Sequence, residues 1–95
     1  MDRDQFEAQL KADGFQEIEH THLTARPGKG RHRHLFVIRG LVTAGTFVVL
    51  RTDEPVSYGP GQVFEVAHGD LHDEWIGLDG ASVVIGRRFS VEQKA

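Results

Sequence analysis

His32-Arg33-His34 is an i, i+2 histidine pair in a segment that reads as a β-strand. Alternation along a strand sends every second side chain to one face, so both imidazoles can converge on one ion. Neutral imidazole is the commonest metal ligand, and it titrates near neutrality. A third donor must come from another strand, and His72 is the natural candidate, with Glu74 following it on the same face. Three histidines plus water leave an open coordination position, which suits catalysis better than structure. Glu74 would then be a fourth ligand, an acceptor that orients a ligand imidazole, or the base in a metal-assisted reaction. The bland reading is chance: the chain has six histidines and a second pair, His20-Thr21-His22. That pair sits among Glu17 and Glu19 in a weakly alternating segment, which suits a solvated strand. His68 precedes a glycine in a turn and reads as a surface or mouth residue.

Arg39 and Trp75 are the candidates for a ligand pocket. Trp75 would serve as a cavity wall. Strand parity from His34 puts Arg39 on the opposite face, but a bulge would turn it inward, where it would pair with a carboxylate or hydroxylated ligand. Phe36, Phe47, Phe64 and Phe89 read most simply as core. Ser57, Ser82 and Ser90 lack the glycine-flanked context of a hydrolase nucleophile, and no phosphate-binding glycine loop occurs.

The elements that must position these residues are mostly strands. One helix is expected over about residues 4–13, capped by Asp2 or Asp4, with Phe6 and Leu10 as its apolar stripe and Gly14 suited to the C-cap. From Phe15 the pattern is β: Phe15–Thr24, a break at Arg26-Pro27-Gly28-Lys29-Gly30, then His32–Arg39, Leu41–Thr43 and Thr46–Arg51. A turn at Asp53-Glu54-Pro55 leads to Val56–Tyr58, Val63–Val66, Leu71–Ile76 and, after a Gly77-Leu78-Asp79-Gly80 turn, Ala81–Phe89. About eight short strands at such spacing indicate a small antiparallel sandwich or barrel over about residues 15–89. The tail after Ser90 is polar.

With 95 residues, the chain is expected to form a single domain spanning 1–95. Its net charge of −3 argues against a nucleic-acid or membrane-surface role, which needs a basic stripe. The basic group Arg26, Lys29, Arg31 and Arg33 is a small local exception. No cysteine is present, which excludes disulfides, thiolate metal sites and a cysteine nucleophile. No apolar stretch approaches the ~20 residues of a membrane span, so a cytoplasmic protein is expected.

Two segments together resemble the motifs of the cupin superfamily: Gly30-Arg31-His32-Arg33-His34 through Gly45, and Gly61 through His68-Gly69-Asp70-Leu71-His72. His32, His34 and Gly45 fall at the first motif's spacings, and Gly61, Gly69 and His72 at the second's. The likeness covers nearly the whole chain. It departs in three places. Ile38 and Arg39 stand where the first motif carries its glutamate, Ala67 replaces a proline, and Ile76 replaces a closing asparagine. The resemblance implies an all-β, cupin-like jelly-roll barrel behind a short helix. It implies a divalent transition metal (Zn, Fe, Ni, Mn or Cu) on His32, His34 and His72, a small-molecule ligand and a homodimer. The alternative it leaves open is a metal-free binding or sensory module for a sugar or carboxylate.

Overall fold

The computed structural model describes residues 1–51 and 54–89. Helix α1 spans Arg3–Ala12, followed by strands β1 (Gln16–Leu23), β2 (Phe36–Leu50), β3 (Pro55–Tyr58), β4 (Val63–Val66) and β5 (Asp73–Phe89). The expected turn at Asp53-Glu54-Pro55 and the polar tail lie partly or wholly outside the described residues.

α1 starts where its sequence dictates. Asp2 accepts from the Gln5 N–H at 2.9 Å, and the Gln5 side chain reaches back to the Asp2 N–H, a reciprocal cap of two orphan donors. Phe6 and Leu10, one helical turn apart, are buried. They pack with Phe15, Leu41 and Val84 into a small core between the helix and the outer face of the sheet.

The eight short strands expected from the sequence are five among the described residues, because two are long. β2 and β5 pair antiparallel from Phe36↔Phe89 to Leu50↔Asp73. Glycines that look like strand ends mark irregularities within them. Gly45 pairs with Ala81 and Phe47 with Ile76, so the four residues 77–80 bulge out opposite Thr46. Gly45 and Gly80 both have φ near +78°, and a Cβ on Gly45 would lie 2.0 Å from the Gly80 carbonyl oxygen. Only glycine fits there. The bulges also change the parity of the inward residues: Ile38 and Val42 precede Phe47 and Val49 in β2, and Ile76 precedes Ala81 and Val83 in β5.

β5 runs between β2 and β1, while β3 and β4 pair with opposite ends of β2. The sheet curls around a main core of Ile38, Val42, Phe47, Val49, Phe64, Val66, Ile76, Ala81 and Val83. Within it the Phe47 and Phe64 rings stack at 4.4 Å, and Gly40 leaves room for Phe64, whose ring a Cβ there would meet at 2.2 Å. Among the described residues no helix is long and apolar enough to cross a membrane.

Candidate metal centre

The histidines gather at one end of the main core. His32 and His34 precede β2 rather than lying in it, and His32 is held by a two-residue bridge to His72. The two backbones exchange hydrogen bonds of 2.8 and 2.9 Å. The turn before His72 is tied to the same segment, since the Gly69 N–H donates to the His34 carbonyl at 2.9 Å. Arg51 steadies that turn by donating from Nε to Asp70 at 3.0 Å.

The ring centroids of His32, His34 and His72 lie 4.5–5.3 Å apart. Glu74 completes the group, and one donor atom from each of the four residues lies within 4.8 Å of the others. Ligands about 2.1 Å from a common ion sit at most about 4.2 Å apart, so only a small closure is needed. His72 is fully buried.

The hydrogen bonds show that these residues suit a cation. Nδ1 of His32 faces the Gly30 carbonyl oxygen at 3.0 Å, and Nδ1 of His72 faces that of Asp70 at 2.9 Å. A carbonyl oxygen only accepts, so each Nδ1 carries the proton and leaves the Nε2 lone pair for the site. Nε2 of His72 then meets a carboxylate oxygen of Glu74 at 3.0 Å. Two acceptors face one another, and that contact requires a positive centre, either a proton or a metal ion. Burial, followed by the charges of His72 and His32, holds His34 below its usual value of 6.5 against the opposing pull of Glu74. Its neutral, ligand-competent form is thereby favoured.

The loop ahead of His32 is clamped by Asp73, which is buried on the opposite face of β5. Its carboxylate accepts from the N–H groups of Glu74 at 2.8 Å, Lys29 at 3.1 Å and Gly30 at 3.4 Å. Burial alone would raise the Asp73 pKa. The hydrogen bonds from Glu74, Lys29, Gly30 and the Trp75 side chain outweigh it and hold the group below 3.8. Gly28 has no room for a side chain, because a Cβ would lie 2.2 Å from Asp73 Oδ2 and 2.4 Å from Trp75 Nε1.

The structure brings together His32, His34, His72 and Glu74, but not the two pocket candidates. No bulge separates Arg39 from Ile38, so it stays on the face opposite the main core. There it bonds Asp13 at 2.6 Å and Glu65 at 2.7 Å and lies over the Phe15 ring. Trp75, next to Glu74, points to the other side of β5 by simple alternation. It lines an open groove of about 700 Å³ together with Arg26, Pro27, Val48 and Leu78. The second histidine pair serves the surface: His20 contacts Glu7 at 2.6 Å and His22 contacts Ser82 at 2.9 Å.

Sequence reasoning missed Arg26. Its backbone bridges Ile76, and its Nη1 donates to the Glu74 carbonyl at 3.0 Å and that of Pro27 at 3.3 Å. Nη2 stands 3.8 Å from Glu74 Oε1. Arg26 lies in the segment read as a break, where no alternation indicates which way a side chain faces.

No protein-family model matches the chain, and no curated protein does. Solved structures do. Protein NMB1881 from Neisseria meningitidis superposes with a TM-score of 0.65 at 20% identity, covering 79% of this chain and 74% of that one. A cupin superfamily protein from Desulfitobacterium hafniense gives 0.65 at 14% identity, covering 77% and 66%. A cupin-like protein from Thermotoga maritima gives 0.64 at 20% identity, covering 83% of this chain and 59% of its own. The antiparallel barrel, its leading helix and these superpositions agree that the chain has the cupin fold.

Proposed function

We propose that the chain binds one divalent transition metal through Nε2 of His32, the His34 ring, Nε2 of His72 and the Glu74 carboxylate. The observation that carries this reading is the approach of two acceptors, His72 Nε2 and Glu74 Oε2, in a cluster where two imidazoles are oriented by backbone carbonyls. The glutamate lacking from the first motif has a functional substitute two residues after His72, on another strand. On this reading Glu74 supplies what the first motif lacks, which weighs against a metal-free binding module. When bound, the ion would act as a Lewis acid toward a coordinated oxygen.

The chain's own residues supply the remaining work. The Gly30 and Asp70 carbonyls fix the rings of His32 and His72, and Asp73 fixes the loop that delivers His32. Glu74 has two oxygens, so one can ligate while the other accepts a proton. A small-molecule substrate is part of this reading. Among similar folds is a structure described as that of DMSP lyases, at 19% identity and TM-score 0.61, which shows only that the scaffold can carry an enzyme. We further propose a homodimer, as the cupin resemblance implies; a monomeric mass at micromolar concentration would contradict it.

The test is elemental analysis of untagged protein, wild type against His34→Ala. About one equivalent of transition metal per chain, lost in the variant, is expected. No metal after incubation with each candidate ion would refute the reading.

A further inference from the structure

We infer that Arg26 is the anion-recognition residue of this site and that the ligand it selects is a small organic carboxylate. The inference rests on the metal reading and adds the ligand class to it.

Four guanidinium groups bear on the argument, and three are already engaged by carboxylates within hydrogen-bond range. Arg39 holds Asp13 and Glu65, Arg51 holds Asp70 at 3.0 Å, and Arg87 holds Glu19 at 3.2 Å. Arg26 differs. Among the described residues its one carboxylate within 4 Å is Glu74, at 3.8 Å, beyond hydrogen-bond range. Nη1 is fixed by two backbone carbonyls, so the group is held in place while its ion pair with Glu74 uses none of its remaining N–H groups in a hydrogen bond. Nε and Nη2 have no hydrogen-bond partner among the described residues.

The carboxylate that Arg26 approaches is the one proposed to ligate the metal, and its other oxygen lies 3.0 Å from His72 Nε2. With Oε2 toward the ion, Oε1 stays 3.8 Å from Nη2, too far to take a hydrogen bond from it. Three neutral imidazoles, one carboxylate, one guanidinium and a divalent ion leave the site with net positive charge. A fixed guanidinium with unused N–H groups beside an ion with an open position matches a carboxylate, which can accept paired hydrogen bonds. A neutral sugar would leave that charge unanswered.

The experiment uses cobalt(II)-loaded protein, with glycolate and its uncharged analogue glycolamide as probes. Ligand-field absorption reports the metal, and calorimetry reports the probe. Arg26→Gln should retain the cobalt spectrum, bind glycolate at least about 10-fold more weakly, and leave glycolamide binding unchanged. Arg26→Lys, which keeps the charge without the planar fork, should fall between the two. Equal glycolate affinity in wild type and Arg26→Gln would overturn the inference. If no cobalt spectrum develops, the metal reading fails, and glycolate titration of the metal-free chain decides the arginine separately. Binding abolished by Arg26→Gln upholds its role, and absence of binding in wild type ends it.

Discussion

Nε2 of His72 lies 3.0 Å from Oε2 of Glu74, while Nδ1 of the same ring donates to the Asp70 carbonyl. Without a metal ion between them, this contact needs an extra proton shared between the carboxylate and a fully buried ring. Glu74→Gln replaces one acceptor by an amide that can donate to Nε2. The metal-free variant should therefore be as stable as wild type or more so. Its metal affinity should fall by more than the roughly 10- to 100-fold that loss of an outer-shell partner costs. Melting curves with and without metal check both halves, and a variant destabilised only when metal-free would contradict the assignment.

His34 gives a second handle. Its folded pKa lies below 6.5, so the folded chain binds a proton there less readily than the unfolded chain does. The stability linked to this group is complete above about pH 6.5 and is lost as pH falls through the lower folded value. Denaturant unfolding of metal-free protein at pH 7.5 and 5.5 should show a decline that is smaller in His34→Gln. Equal slopes would remove His34 as the cause.

Asp73 acts in the opposite region of pH. Asp73→Asn replaces one of the two carboxylate oxygens, which between them accept from three backbone N–H groups, by an NH2 that cannot accept, so the melting temperature should drop and metal binding weaken as the loop carrying His32 loosens. Because the carboxyl is held below 3.8, the wild-type advantage is present above that value. It disappears as pH falls through the depressed pKa. A gap between the two proteins that stays constant down to pH 2 would count against this account.

Leu10→Ala tests whether the helix and the site are separate tasks. Leu10 is fully buried in the small outer core, and its removal should cost about 2–5 kcal/mol. Metal stoichiometry at a temperature where the variant stays folded should not change. Loss of metal from a folded Leu10→Ala chain would show that α1 supports the centre directly.

Much of this was legible in the chain. The Asp2 cap and the Phe6/Leu10 stripe locate α1 because helix ends obey local rules. Period-two alternation correctly places Glu74 beside His72 and Arg39 on the far face. The same alternation puts Trp75 opposite Glu74, where it walls the groove beside Arg26 rather than the histidine cluster. The continuity of β2 and β5 was not legible. Gly45, Gly77 and Gly80 carry the signature of turns, and a bulge that needs glycine looks identical until its partner strand is known. Arg26 was hidden for a related reason: its direction is set by a bridge to Ile76, a residue far along the chain.

The long pairing of β2 with β5 also bears on how the chain assembles. The segment between paired residues is shortest at Leu50 and Asp73 and longest at Phe36 and Phe89, so closing the near end costs the least loop entropy. Such non-local topologies fold in milliseconds to seconds rather than microseconds. The near end of this zipper is the end that carries His72 and Glu74, whereas His32 and His34 arrive from a segment outside it. During refolding the two halves of the metal centre would therefore meet through the His32–His72 bridge, and an ion present early could staple them before the far end closes.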